Sequence, residues 1–218
     1  MPRKPLIRSN TIPYHVTARV NNREPFHLPL PQMWKIIGDE CLNIHMVYGV
    51  EFQSLVLMPN HFHMILTVPE YDLGIVMNIF MSAVTKLSNL LSGRSGRLFG
   101  SRYYWSLINS SRYFGHAYKY VYRNPVKANL SQSVEAYPFS TLQGSLGLRH
   151  LPFPLYYTRV AMELSLPSEE SQNQLDWLNR PFPKEAEALI QKGLRKRVFD
   201  QVLDLSTRKP VKVLEELL

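Results

Sequence analysis

The sequence predicts an α+β fold in which an antiparallel β-sheet carries two helices on one face. Four short segments are rich in β-branched and aromatic residues, as is typical of strands. Two longer segments repeat apolar residues at helical spacing. The segments follow one another as strand, helix, strand, strand, helix, strand. This order matches the split βαβ, ferredoxin-like arrangement.

The first half of this pattern ends in a predicted β-hairpin. A proline opens the first predicted helix, and Met33, Ile37 and Cys41 follow it at helical spacing. The dipeptide Pro59-Asn60 is a turn signal between two apolar segments, so it predicts the hairpin. The predicted elements are a strand at 11–20, a loop at 21–29, a helix at 31–46 and strands at 50–58 and 61–68.

The second half contains a long apolar helix and a tyrosine-rich helix. Gly93 is a plausible end for the first of these, and an Asn-Ser-Ser cluster at 109–111 caps the start of the second, which runs toward Pro125. A loop rich in Gly, Arg and Ser (92–102) and a strand (103–108) lie between them. The apolar stripe predicted for the helix at 73–92 consists of Val76, Phe80, Ala83, Leu87 and Leu90 or Leu91.

The chain divides into a domain at 1–145 and a C-terminal, mainly helical extension at 146–218. Residues 131–160 form a loop region containing proline and aromatic residues. The clearest helix of the extension is predicted at 184–203. The extension is interpreted as a packing or partner-binding segment.

The composition is that of a packed globular protein. The chain has 218 residues, 45% of them hydrophobic, which predicts a substantial core. Its single cysteine, Cys41, excludes an internal disulfide and fits a reducing compartment, so a cytoplasmic location is expected. The basic N-terminus lacks the apolar segment of a signal peptide, and no stretch is expected to span a membrane.

The positive charge is concentrated in the first part of the chain. The net charge is +8, and residues 1–130 contain 14 Lys and Arg against 6 Asp and Glu, whereas residues 131–218 contain 11 of each. No acidic residue occurs between Asp72 and Glu135. A long segment of one sign indicates a polyanionic partner, most simply nucleic acid, although a solvated basic face is the alternative.

Two histidines at i and i+2 mark the strand after the hairpin turn. Side chains at this spacing project from the same face of a strand, so His61 and His63 point together and Phe62 points to the other face. Two imidazoles on a rigid strand can supply two ligands to one divalent ion. On its own the pair is a weak signal for a metal, because two polar residues on a solvated face are the commoner meaning of this pattern.

A second group of polar residues lies on the tyrosine-rich helix. His116, Tyr120 and Asn124 recur every four residues and therefore share one helix face. A tyrosine beside an amide oxygen, near a histidine pair, suits phosphodiester chemistry with the phenolate as nucleophile. The alternative is that these tyrosines are core and rim residues. His116 is a candidate base, although a structural role fits it better.

The two motifs together resemble the single-tyrosine HUH transposases, and specifically the REP-associated tyrosine transposases. The resemblance covers residues 10–145. A histidine pair followed by Tyr-x-x-x-Asn-Pro-Val-Lys is specific in combination. The matching segments are YHVTARVNNR (14–23), LVLMPNHFHMILTVP (55–69), LFGSRYYWSLI (98–108), YKYVYRNPVKANL (118–130) and, more weakly, YPFSTL (137–142).

This resemblance implies roles for individual residues. Tyr120 matches the nucleophilic tyrosine, and His61 and His63 match the metal-binding pair. Asn124 matches a position that helps to complete the metal site. The implied cofactor is Mg²⁺ or Mn²⁺. The reaction implied is cleavage and transfer of single-stranded DNA through a 5′-phosphotyrosine, at hairpin or palindromic sequences.

Single-stranded or hairpin DNA is the expected partner, with no membrane association. Both a homodimer and a monomer are compatible with the resemblance. Basic residues contact the backbone in this interpretation, and aromatic residues stack on bases. The candidate contact residues are Arg94, Arg97, Arg102, Tyr103, Tyr104, Arg112, Lys119, Arg123 and Lys127, with Trp105 a further candidate for stacking.

Three other functions compete with strand transfer. A non-catalytic nucleic-acid-binding module predicts salt-sensitive binding without a metal requirement. A domesticated, inactive relative of the transposases lies between that module and the enzyme. A metal-dependent hydrolase that uses water would not need Tyr120 and would leave no protein–DNA adduct.

Overall fold

The computed structural model describes residues 5–156 and 171–200, without the side chains of 171–173. The predicted order of the first six elements and the α+β fold class are confirmed. The elements are β1 (Tyr14–Arg19), α1 (Leu30–Tyr48), β2 (Glu51–Met58), β3 (His61–Thr67), α2 (Leu73–Ser92), β4 (Tyr104–Ile108), α3 (Ser111–Lys127), α4 (Leu142–Ser145), α5 (Ser171–Asn179), α6 (Lys184–Gly193) and β5 (Val198–Phe199).

The sheet has five strands in the order β2-β3-β1-β4-β5. The central strand β1 pairs antiparallel with both β3 and β4, and β2 and β3 form the predicted hairpin. The first four strands therefore have the split βαβ arrangement. Strand β5 adds to it in parallel, beside β4.

Helices α1 and α2 pack together on one face of the sheet. Alternation along β1 places Tyr14, Val16 and Ala18 in their core, where all three are at most 2% exposed. The Asp72 carboxylate caps α2 by accepting from the Gly74 amide at 2.6 Å. At its end Gly93 adopts a left-handed conformation with φ of 65°.

The inward stripe of α2 differs in part from the prediction. Val76 and Phe80 are buried as expected, but Val84 and Ser88 complete the buried row, while Leu90 and Leu91 are exposed. Within the described residues, α2 is the one helix long and apolar enough to meet the length and composition test for a membrane span. The expectation that no such stretch exists was therefore wrong, although the inward side of α2 packs in the protein core.

Helix α3 packs on the opposite face of the sheet with α5 and α6. The Ser110 hydroxyl caps it by accepting from the Tyr113 amide at 3.2 Å. The helix passes through Pro125 and ends at Lys127. Its core includes Tyr118 and Tyr122, both almost fully buried, so these two tyrosines are structural.

The helix predicted at 184–203 is shorter in the structure. It ends at Gly193, and the chain then turns to form β5. Glycine at this position permits the close approach of Phe199, whose ring atoms would lie 2.5 Å from an added Cβ. Residues 201–203 of the predicted helix lie outside the described residues.

Segments that follow α3 bond to both outer strands of the sheet. At the β2 side, the Leu57 amide donates to the Phe139 carbonyl and the Thr141 amide donates to the Leu55 carbonyl, each at 2.9 Å. At the β4 side, the Leu107 amide donates to the Arg197 carbonyl at 2.9 Å. Both edges of the four-stranded core are therefore paired.

Candidate active site

Three histidines lie together on the sheet face that carries α3. The strand register places Thr17 opposite His63 and Arg19 opposite His61. Side chains two residues apart share a face, so His15 on β1 joins the pair on β3. The rings of His61 and His63 lie 5.0 Å apart between centroids, and those of His15 and His63 lie 5.2 Å apart.

Each histidine of the predicted pair has its Nδ1 in a hydrogen bond. His61 Nδ1 bonds to the Asn60 side-chain oxygen at 2.7 Å. His63 Nδ1 bonds to His15 Nε2 at 2.9 Å. A ligating histidine usually donates its other ring N–H to a neighbouring acceptor, and in both residues these bonds engage Nδ1 and not Nε2.

Burial keeps the three imidazoles neutral. Desolvation lowers the pKa of His15 to about 4. Desolvation, reinforced by the Arg19 charge, lowers the pKa of His61 to about 4. The pKa of His63 is also lowered, mainly by burial and further by its neighbours His15, His61 and Arg19. Neutral imidazole is the form that binds metals.

Tyr120 is brought to this cluster by α3. Its ring meets that of His63 nearly perpendicularly, with the centroids 5.8 Å apart, and it lies 6.4 Å from the ring of His15. Burial and the nearby carboxylate of Glu187 raise the pKa of Tyr120. Interaction with Gln191 and the charges of Arg195 and Arg19 oppose that rise.

Asn124 is half-buried one helical turn after Tyr120. Its side-chain Nδ2 donates to the Tyr120 carbonyl at 2.8 Å and reaches the Val121 carbonyl at 3.4 Å. Pro125 has no N–H, so the Val121 carbonyl lacks its usual helical partner, and the amide of Asn124 partly replaces it. This arrangement turns the amide oxygen away from the helix carbonyls.

The side chains that could donate to a metal are the neutral imidazoles and, one turn after Tyr120, the amide oxygen of Asn124. Within the described residues, no group of three or more His, Cys, Asp or Glu is arranged to hold a metal. His15 is not a third ligand, because its Nε2 bonds to His63. The residues present fit a divalent ion that takes two nitrogens from the protein and oxygens for its remaining positions.

Three basic residues predicted to contact DNA lie against the C-terminal extension instead. Lys119 is 4% exposed, and its ammonium lies 4.9 Å from the ring of Trp177. Burial lowers the pKa of Lys119 to about 8. The Arg123 guanidinium donates to main-chain carbonyls at the end of α5, and Lys127 pairs with Glu187 at 3.0 Å. Lys119 and Arg123 are thus engaged within the chain, whereas 42% of the Lys127 side chain stays exposed, and contact of these three residues with DNA stays a prediction.

The residues near β4 that were predicted to contact DNA lie on different faces of the sheet. Tyr104 lies opposite Thr17, on the face of the histidines, and is 65% exposed. Tyr103 is 6% exposed and belongs to the core beneath α1 and α2, so it cannot offer a ring face to a base. Arg102 stacks over the Tyr103 ring at 5.5 Å, on that same side.

The three remaining basic candidates, Arg94, Arg97 and Arg112, are exposed. Arg94 and Arg97 lie in the loop before β4, and this loop bonds to the end of β1 through the Leu98 carbonyl and the Asn21 amide at 2.9 Å. Arg112 is in the first turn of α3. Trp105 is half-buried and meets the Tyr14 ring edge-on at 6.2 Å. His116 is fully buried and packs against the rings of Tyr113 and Phe182, as expected for a structural histidine.

Sequence reasoning missed His15, Arg19 and the extension residues beside Tyr120. The first two could have been found, because alternation from Tyr14 and Val16 places His15 and Arg19 on the other face of β1. That β1 lies beside β3 also follows from the predicted topology. The approach of Gln191 and Glu187 has no comparable sequence signal.

Fold and site together define a ferredoxin-like domain with a histidine pair and a tyrosine on one face of its sheet. The structure of a REP-associated tyrosine transposase bound to a REP hairpin matches with a TM-score of 0.57 and 21% identity, covering 72% of this chain and 94% of that one. At this identity the likeness shows a shared fold, in agreement with the resemblance seen in the sequence. No family model and no curated protein matches the sequence.

A second solved structure shows a weaker likeness. It is the crystal structure of a presumed transposase from Deinococcus radiodurans, with a TM-score of 0.39 and 17% identity. The match covers 55% of this chain and 95% of that one. A score this low does not support an argument about fold or function.

Proposed function

We propose that the protein is a tyrosine transposase that cleaves and rejoins single-stranded DNA at hairpin or palindromic sequences. The observation that carries this proposal is the packing of Tyr120 against His63, with ring centroids 5.8 Å apart. A partly buried phenol beside neutral imidazoles that could hold a divalent ion is placed to attack a phosphodiester. The fold shared with a hairpin-bound REP-associated transposase supports the same reading.

Tyr120 is the nucleophile in this proposal. Its oxygen attacks the scissile phosphorus, the phenolic proton is released, and the bond from phosphorus to the 3′ oxygen breaks. The products are a 5′-phosphotyrosine and a 3′-hydroxyl group. Attack by a 3′-hydroxyl on the phosphotyrosine reverses the step and joins two ends without a high-energy cofactor, because the adduct keeps the phosphodiester bond energy.

His61 and His63 would hold Mg²⁺ or Mn²⁺ through Nε2, with the Asn124 oxygen as a third protein donor. When bound, the ion polarises the scissile phosphate as a Lewis acid. Arg19 lies beside His61 on β1, and its charge lowers the pKa of Tyr120. Arg19 therefore favours the phenolate and is also placed to neutralise a phosphate near the histidines.

The DNA strand would approach over β1 and β4. Tyr104 offers an exposed ring on this route, and aromatic rings stack on bases with little sequence preference. Arg94 and Arg97 supply positive charge on the loop that borders the end of β1. Helix α6 occupies another side of Tyr120, because Gln191 interacts with the phenol.

Covalent capture tests the proposal directly. The protein is incubated with end-labelled single-stranded hairpin DNA and Mn²⁺, and the products are separated on a denaturing gel. With the label at the 3′ end, which stays with the 5′-phosphotyrosine, we expect a labelled protein–DNA adduct that Tyr120→Phe lacks, because phenylalanine keeps the ring but has no nucleophilic oxygen. The matched control is Tyr118→Phe, which removes a buried phenol from the same helix and should leave the adduct in place.

The competing functions give different results in the same assay. Salt-sensitive DNA binding with no adduct in any variant would indicate a non-catalytic binding module. Metal-dependent cleavage that survives Tyr120→Phe would indicate hydrolysis by water. An adduct retained by Tyr120→Phe would contradict the assignment of the nucleophile.

A further inference from the structure

His15 is a buried histidine whose side chain is hydrogen-bonded to His63, a predicted metal ligand. It is 3% exposed, and its Nε2 lies 2.9 Å from His63 Nδ1. The two rings are nearly parallel, at 20°, with centroids 5.2 Å apart. The His15 ring also lies edge-on to Tyr120. Both the ligand and the nucleophile therefore contact this one side chain.

The position of one proton decides whether His63 can bind a cation. If His63 carries its proton on Nδ1, it donates to His15 Nε2, and its own Nε2 keeps a free electron pair. If His15 donates instead, the proton of neutral His63 lies on Nε2 and blocks that position. The structure thus couples the tautomer of His63 to the acceptor on His15.

This arrangement has an unfavourable consequence for folding. When His15 Nε2 accepts, its proton lies on Nδ1, and that atom is buried without a hydrogen-bond partner among the described residues. Ser106 lies directly opposite His15 on β4, and its hydroxyl is also buried and unpaired. An apolar residue at position 15 would remove this unpaired N–H but would leave His63 Nδ1 without its hydrogen-bond partner.

We propose that His15 is a positioning residue that holds His63 in the Nδ1-protonated tautomer, with Nε2 directed to a divalent cation. This inference rests on the proposed function, since it assigns His63 as a ligand. His15 would act on the cation indirectly, through its hydrogen bond to His63. His15 fixes the ring and proton of His63, just as Asn60 fixes those of His61.

Two substitutions separate this role from packing. His15→Gln keeps an oxygen that can accept from His63 Nδ1, whereas His15→Leu offers no acceptor. We expect His15→Leu to weaken Mn²⁺ binding by roughly 10–100-fold, measured by titration calorimetry on the full chain, and His15→Gln to restore most of the affinity. Thermal melting of His15→Leu should stay close to that of the parent, because the unpaired Nδ1–H of His15 is removed while the buried Nδ1–H of His63 loses its acceptor.

Nitrogen NMR of the metal-free protein reads the tautomer itself. The parent and His15→Gln should show His63 protonated on Nδ1, and His15→Leu should lose that preference. His45→Leu is the matched control, since His45 bonds to the Val50 carbonyl at 2.9 Å, away from the site, and should leave Mn²⁺ affinity unchanged.

Several results would overturn the assignment. These are a parent spectrum with the proton of His63 on Nε2, unchanged Mn²⁺ affinity in His15→Leu, and a His15→Gln variant as weak as His15→Leu. Failure of the proposed function looks different: the parent would form no DNA adduct and bind no Mn²⁺. The metal-free spectrum still decides the role of His15 in that case.

Discussion

The two faces of the sheet are built from the same strands but differ in chemistry. Toward α1 and α2, β3 presents Phe62 and Met64, which are fully buried in an apolar core. Toward α3, it presents His61 and His63 at its start and Ile65 farther along. Because side chains alternate along a strand, β3 builds the apolar core on one side of the sheet and holds polar groups on the other.

Phe80→Ala should have the largest effect on stability. Its ring is fully buried on α2 and meets Phe62 edge-on at 5.8 Å. Deleting it should lower the free energy of unfolding by about 3–5 kcal/mol, measured by urea titration. The control Leu90→Ala, on the same helix but 73% exposed, should change stability by less than about 0.5 kcal/mol.

If the two faces act separately, folded Phe80→Ala should bind Mn²⁺ as the parent does. A loss of affinity at a temperature where the variant is fully folded would show that the apolar face shapes the site. The two faces of the sheet would then not act separately.

The histidine face should make stability depend on acid. Burial lowers the pKa of His15 in the folded state from 6.5 to about 4. The unfolded chain therefore binds the proton first, and stability should fall as the pH drops from about 6.5 toward 4. His15 alone should contribute a loss of about 2 kcal/mol between pH 7 and pH 5.

Urea unfolding at these two pH values, with a chelator present, measures the loss. His15→Leu should lose less stability than the parent over the same interval, because it has no imidazole to protonate at this position. Equal losses in the two proteins would mean that His15 does not titrate differently in the folded and unfolded chains.

Tyr104→Ala tests whether the polar face carries the nucleic acid. The exposed ring on β4 should stack on one base, and losing that contact should weaken single-stranded DNA binding by about 1–3 kcal/mol. Tyr104→Phe keeps the ring and should bind like the parent. Fluorescence anisotropy with a labelled oligonucleotide distinguishes the two, and equal binding by Tyr104→Ala would direct attention to another route for the strand.

Glu187→Gln should have the smallest effect. The Glu187 carboxylate raises the pKa of Tyr120, so its neutralisation should lower that pKa and shift the pH profile of adduct formation toward lower pH by a fraction of a unit. Loss of the pair with Lys127 should change stability by at most about 1 kcal/mol, since both side chains are partly exposed.

Glu185→Gln provides the matched control for this prediction. It removes a charge from the exposed side of the same helix and should leave the profile in place. A shift of equal size in both variants would indicate a general charge effect rather than a local one.

Much of the fold follows from local patterns in the sequence. Gly93 gave the end of α2, and Pro59-Asn60 gave the hairpin. The i and i+2 histidines were predicted to share a face, and the register agrees. These features depend on neighbours along the chain, so short-range physics determines them.

Contacts between distant segments could not be predicted in the same way. The charge of Lys119 indicated a phosphate partner, but the aromatic ring of Trp177 covers it. Tyr103 and Tyr104 are adjacent and chemically identical, yet only the packing of β4 decides which one is buried. The approach of Gln191 to Tyr120 depends on how α6 docks, and no spacing in the sequence encodes that.

The paired edges of the sheet have a consequence for self-association. Unpaired outer strands are templates on which a second copy can continue the ladder. Here the backbone near Phe139 bonds to one outer strand of the core and β5 bonds to the other. Two copies that met side by side would first have to peel away a segment of their own chain. Within the described residues, side-by-side pairing of two copies through β2 or β4 is therefore disfavoured, and with it the growth of a continuous β-fibril from either strand.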